Sequence, residues 1–171
     1  MKGYIQVYTG DGKCKTTAAL GLVLRSVGAG LRVYLGQFIK GGEFSEIKIL
    51  RSRFPEVTVE QYGSGGFVRH QPTTGQIQAA RRGLQQLAAA LRSGDYDVVI
   101  ADEANTAVGA GLFTDQDLLA LMDEKPDSVE LILTGRGAGA AVLNRADLVT
   151  EMKCVKHYYN AGVPGRPGIE S

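Results

Sequence analysis

The chain has 171 residues, 44% of them hydrophobic, and 19 Lys+Arg against 18 Asp+Glu give a formal net charge of +1; one domain, 1–171, with a single core fits this length, and no global basic field favours nucleic acid. Cys14 and Cys154 stand far apart with no metal-ligand pairing or disulfide framework, which suits a reducing compartment and makes the cytoplasm the expected location. The N-terminus lacks the basic, apolar and small-residue regions of a signal peptide, and the apolar runs are far too short to span a bilayer, so no membrane partner is expected.

In chain order, apolar runs that read as strands lie at Tyr4 to Thr9, Arg32 to Phe38, Val57 to Gln61, Asp97 to Asp102, Val129 to Thr134 and Asp147 to Met152. Between them come helical patterns, the clearest at Thr16 to Ala29, Thr73 to Ser93 and Thr114 to Glu124. Strand alternating with helix predicts an α/β fold of three layers, a mostly parallel six-stranded sheet covered on both faces. The stretches TTGQ (Thr73 to Gln76) and TDQD (Thr114 to Asp117) are capping-box patterns that would satisfy orphan amides where two of these helices start. Glycine-rich pieces at Gly28 to Gly30, Lys40 to Glu43 and Gly63 to Gly66 punctuate the elements without repeating at a fixed period.

The stretch YTGDGKCKTT (Tyr8 to Thr17) follows the first strand and opens the first helix, the order in which backbone amides and a helix dipole converge on an anion. Lys15 would sit beside phosphates as a point charge, and the Thr16 hydroxyl would ligate Mg²⁺ as in the G-x-x-x-x-G-K-[ST] pattern. Both glycines of that pattern are replaced, by Thr9 and Cys14. If the second position requires positive φ, Cys14 bears a cost on the order of 1 kcal/mol. Between Lys13 and Lys15 at a helix N-terminus, its thiolate is favoured, which predicts a reactive thiol that nucleotide protects. A second signal is YDVVIADE, which runs an apolar strand into Asp102 and Glu103 and so puts hard oxygen ligands where a cation beside a phosphate needs them.

Several segments together resemble the ATP:corrinoid adenosyltransferases with a modified phosphate loop: YTGDGKCKTTAALGLVLRSVG, GQFIKG (Gly36 to Gly41), VVIADEAN (Val98 to Asn105), LILTGRGA (Leu131 to Ala138) and ADLVTEMKCVKHYYNAGVPGRPGIE (Ala146 to Glu170). The resemblance covers nearly the whole chain. It implies a RecA-like P-loop fold that binds ATP with Mg²⁺ (or Mn²⁺) and transfers the 5′-deoxyadenosyl group to the cobalt of a reduced corrinoid, leaving triphosphate. Carried onto this sequence, Gly10, Asp11, Gly12, Lys13, Cys14, Lys15, Thr16 and Thr17 would wrap the triphosphate. Thr16 and Glu103 would hold the metal, with Asp102 a further candidate, and Arg136 and Arg25 would contact the nucleotide. The corrinoid is expected near YGSGGFVRHQPTTG (Tyr62 to Gly75), where Phe67 would wedge against the lower face of the cobalt. Arg69 and His70 stand there where some relatives carry a tryptophan. Some relatives also have an extra N-terminal segment that caps the partner subunit's site, whereas this chain begins directly with the first strand. A homodimer and an electron donor such as a flavoprotein are implied partners.

Such chemistry needs no general base, because Co(I) is itself the nucleophile and the protein has only to position groups and stabilise charge on the departing triphosphate. No Ser-His-Asp or Cys-His pairing stands near a motif, and His157 reads as a packing or hydrogen-bonding residue. The rival readings are a conventional P-loop ATPase in which Glu103 polarises water, and an ATP-dependent corrinoid carrier; a motor stimulated by nucleic acid finds little support in the near-neutral charge.

Overall fold

A computed structural model describes residues 2–63 and 71–170. Its strands are β1 (Ile5–Thr9), β2 (Val33–Gln37), β3 (Val57–Gln61), β4 (Val98–Asp102), β5 (Glu130–Thr134) and β6 (Leu148–Glu151). They form one sheet in the order β3-β2-β4-β5-β1-β6, and every pairing is parallel. The helices are α1 (Lys15–Gly28), α2 (Ser45–Arg53), α3 (Thr74–Ser93), α4 (Ala104–Gly109), α5 (Asp115–Asp123) and α6 (Ala140–Arg145), followed by a 3₁₀ turn at Tyr158–Ala161.

Alternation along the strands builds two cores. Val33, Leu35, Val98, Ile100 and Ile132 face α1 and α2, meeting Ala19, Val23, Ile47 and Leu50. Tyr34, Val99, Ala101, Leu131 and Leu133, with Ile5 and Val7, face the other way and pack with Leu87, Leu91, Ala104, Leu118, Met122 and Val142 of α3 to α6. The sheet is thus covered on both faces, and the fold is the RecA-like P-loop type that the resemblance implies. Both capping boxes form: the Thr73 side chain accepts from the Gln76 amide while the Gln76 side chain accepts from the Thr73 amide, and Thr114 pairs with Asp117 in the same way.

The three short or weakly patterned helices, α2, α4 and α6, are absent from the periodicity reading. Only Ile47 and Leu50 of α2 are buried, and α4 and α6 are six residues each, too short for a period of 3.6 to register. At the far edge of the sheet, all four residues of β6 are exposed, Leu148 and Val149 among them.

Candidate active site

Because the strands run parallel, the turns after β1, β2, β4 and β5 all open at one end of the sheet, where ligands of such folds sit. Among the described residues, the non-glycine positions with positive φ are Cys14 (89°), Ile39 (64°) and Glu103 (59°). They fall in the turns after β1, β2 and β4, so backbone strain is gathered at this end.

The turn after β1 is seated against the chain beyond β6. Gly10 has φ 95° and leaves no room for a side chain, since a Cβ would lie 2.5 Å from the Met152 carbonyl oxygen. The Gly12 amide donates to that same oxygen at 2.7 Å. Cys14, exposed and in the left-handed region, precedes α1 without a side-chain cap bond, and the first turn of α1 contains no acidic residue. Its first amides are therefore left for an anion from outside the helix. Cys14 thus meets the condition of positive φ under which the sequence reading assigned it a strain cost.

Lys15 is only 7% exposed, and its Nζ donates to the carbonyl oxygens of Gly10 (2.7 Å) and Gly12 (2.6 Å), which hold the ammonium inside the turn. Burial, with the Arg136 guanidinium adding to it, holds its pKa below the ordinary lysine value, against the pull of Glu103 and Asp11. Lys13 instead reaches the C-terminal segment, donating to the Ile169 carbonyl at 2.8 Å and pairing with Glu170 at 3.3 Å. Asp11 and Thr17 are exposed.

Asp102 is fully buried at the end of β4, and both of its oxygens are engaged. Oδ1 accepts from Thr16 Oγ1 (2.9 Å) and Thr134 Oγ1 (2.6 Å), and Oδ2 accepts from Gln37 Nε2 (2.9 Å). With its proton directed to Asp102, the Thr16 hydroxyl acts as an acceptor on its other side, where Lys40 Nζ donates to it at 3.5 Å. Glu103 turns out of the strand in the left-handed conformation and receives Thr106 Oγ1 on Oε2 at 2.5 Å. Lys40 Nζ lies 3.9 Å from Glu103 Oε1 and 3.5 Å from Thr16 Oγ1. A cationic head already stands between the two oxygens expected to hold a metal, so the donor set suits a cation. Among the described residues no group of three or more His, Cys, Asp or Glu could hold a metal ion.

Arg136 lies in the turn after β5; its amide donates to Thr106 Oγ1 at 3.0 Å. Two residues on, the Ala138 amide donates to Thr9 Oγ1 at 3.3 Å, so Thr9, at the first glycine position of the motif, ties this turn to β1. Arg25 is not brought to the site. It stands in the last turn of α1, ten residues beyond Lys15 and about 15 Å along the helix axis. Phe67, Arg69 and His70 lie outside the described residues. On either side of that segment, Tyr62, Gly63, Thr73, Gly75, Gln76 and Arg82 line an open cavity of about 810 Å³. His157 Nδ1 accepts from the Tyr159 amide at 3.1 Å and caps the 3₁₀ turn, the hydrogen-bonding role expected of it.

Lys40, Thr134 and Asn105 stand inside quoted segments that assigned them no role, and Thr106 directly follows one. Lys40 had a signal in GQFIKG, where a lysine comes three residues after β2 ends. Asn105 is 1% exposed, and among the described residues neither of its side-chain polar atoms finds a hydrogen-bond partner.

Comparison with known proteins places the chain among relatives. The family model described as ATP:corrinoid adenosyltransferase BtuR/CobO/CobP matches residues 1–171. The chain is 34% identical over 170 residues to a corrinoid adenosyltransferase of Pseudomonas aeruginosa, covering 99% of this chain and 84% of that one. Identity to a corrinoid adenosyltransferase of Escherichia coli is 34% over 170 residues, 99% of this chain and 86% of that one. A Nostoc protein named "Uncharacterized protein all2391" is 38% identical over 172 residues, 92% of this chain and 45% of that one.

Proposed function

The chain belongs to the ATP:corrinoid adenosyltransferase family, and from that membership we propose that it transfers the 5′-deoxyadenosyl group of ATP to the Co(I) centre of a reduced corrinoid. In this reaction Co(I) supplies the electron pair for the new Co–C bond, the C5′–O bond breaks, and its pair leaves on triphosphate, in the synthesis or salvage of adenosylcobalamin. The observation that carries the reading is the convergence of Lys15, Arg136 and the uncapped start of α1 on one end of the sheet. That is an anion cradle, the feature that a departing triphosphate requires.

In this reading the Gly10 to Thr17 turn wraps the triphosphate, and Lys15 places a fixed positive charge where negative charge grows during bond cleavage. Asp102 acts through Thr16, orienting its hydroxyl; Thr16 and Glu103 hold Mg²⁺ or Mn²⁺, which when bound would neutralise charge on the phosphate oxygens. Arg136 contacts the nucleotide. The corrinoid lies over the cavity beside Tyr62 and Thr73, with Phe67 against the lower face of its cobalt. On this assignment Phe67→Ala harms reaction from Co(II) more than from pre-reduced Co(I), and equal activity in the two assays would remove the wedge role. The enzyme works in the cytoplasm as a homodimer served by an electron donor such as a flavoprotein.

The test is incubation with MgATP and chemically reduced cobalamin. A light-sensitive organocobalt product is expected, and its loss in Lys15→Ala. Retention of unmodified corrinoid with ATP intact would make the protein a carrier rather than a transferase.

A further inference from the structure

Thr106 belongs to neither recognised motif, yet its hydroxyl joins the two turns that carry Glu103 and Arg136. It donates to Glu103 Oε2 at 2.5 Å and accepts from the Arg136 amide at 3.0 Å. The turn after β5 is seated directly on this residue. Gly135, at φ 128°, has room only for hydrogen: a Cβ would stand 2.6 Å from the Thr106 amide nitrogen and 2.8 Å from its Oγ1. Glu103 meanwhile holds a left-handed backbone at φ 59°, a conformation that costs free energy unless its surroundings over-determine it. The Thr106 bond is one such restraint on the side chain, and the bond from the Glu103 amide to Thr134 Oγ1 at 2.9 Å is another on the backbone.

A hydroxyl has one proton to give. Here that proton is committed to the Glu103 carboxylate, and the lone pairs accept from the Arg136 turn, so the two bonds polarise each other. If the carboxylate rotates away, the hydroxyl turns with it and the hold on the Arg136 turn weakens.

We propose that Thr106 is a positioning residue that couples Glu103 to the Arg136 turn, so that a divalent cation at the carboxylate and a polyphosphate under Arg136 strengthen each other's binding. The inference rests on the assignment of Glu103 to the metal and Arg136 to the nucleotide. Coupling of this kind is reciprocal, and it is visible in binding alone, with no corrinoid and no turnover.

The experiment is calorimetric titration of ATP into the full chain, in Mg²⁺ and in EDTA, for the unmodified protein, Thr106→Val, Thr106→Ser and Glu103→Gln, each checked for folding by thermal unfolding. Thr106 is only half-buried, so valine, of nearly the same shape, is tolerated; Thr106→Ala serves if it is not. Unmodified protein gains affinity when Mg²⁺ is present. Thr106→Val loses about tenfold of that gain, the scale on which outer partners of metal ligands act, while its affinity in EDTA holds; Thr106→Ser, which keeps the hydroxyl, retains the gain. A full Mg²⁺-linked gain in Thr106→Val, or an equal loss in Mg²⁺ and EDTA, overturns the coupling. If Glu103→Gln removes the gain while Thr106→Val keeps it, the metal assignment stands and the coupling alone fails. If the unmodified protein shows no gain, or Glu103→Gln keeps it, the metal assignment fails and takes the coupling with it.

Discussion

Cys14 is where local conformation and chemistry meet. At φ 89° a side chain costs roughly 1–2 kcal/mol, and replacing it by glycine returns about 0.4–1 kcal/mol of that to the unfolded chain as entropy. Cys14→Gly is therefore expected to stabilise the protein by up to about 1 kcal/mol, read by thermal unfolding; a clear loss of stability would mean that the thiol makes contacts worth more than the strain. The thiol also stands exposed between Lys13 and Lys15. MgATP is expected to slow its alkylation while leaving Cys154, also exposed, unprotected. Equal rates at Cys14 with and without nucleotide would place the triphosphate elsewhere. Lys15 makes a pH prediction whose sign is fixed by burial. Its folded pKa lies below the ordinary 10.5, so between the two values the folded chain holds fewer protons than the unfolded one, and stability rises with pH across that window. A bound triphosphate draws the proton back. ATP binding at a pH between that lowered value and 10.5 should thus take up protons, measured by calorimetry in buffers of different ionisation enthalpy, and affinity should fall as pH rises through this window. Binding without proton uptake anywhere in the window would say that Lys15 does not meet the phosphates.

Among the elements, strands and long helices were legible because they announce themselves. Apolar runs at Val98 to Asp102 and Glu130 to Thr134 are buried on both faces and cannot be anything but interior strands, and the capping residues Thr73 and Thr114 mark where α3 and α5 begin. Short helices were not, because α4 is defined by the backbone turn at Glu103 rather than by any period of its own. The C-terminal segment is held by charge instead of core. Glu170 accepts from the Arg166 amide at 2.8 Å and its guanidinium at 3.3 Å, bonds Tyr158, and pairs with Lys13 of the turn after β1. The Arg166 bond first, then Tyr158, brings the Glu170 carboxyl down to about 2 from 4.5. A depressed carboxyl stabilises above its unfolded pKa, so this latch is in force above 4.5 and is lost as pH falls towards 2. Glu170→Gln is expected to speed tryptic cleavage at Lys153 and Lys156 while leaving global unfolding nearly unchanged, since exposed pairs contribute little to stability. Unaltered cleavage would show that the segment is held by other contacts.

At the scale of the whole molecule, a parallel sheet gathers distant stretches of sequence into one place, and this decides what could be read beforehand. Lys15, Thr16, Asp102 and Glu103 were legible because each stands at a position to which a recognised motif assigns a role. Lys40, Thr106 and Thr134 were not, because their partners lie far away in sequence: Thr134 reaches Asp102 across 32 positions and Thr106 meets Arg136 across 30. Arg25, a nucleotide contact only by the resemblance, stands in the last turn of α1. In the proposed reaction the cradle stabilises a polyphosphate leaving carbon, with phosphorus never attacked. ³¹P NMR of a reaction containing the protein, MgATP and chemically reduced cobalamin tests it most directly. One intact triphosphate for each cobalt–carbon bond formed is the predicted result; ADP with inorganic phosphate would contradict it.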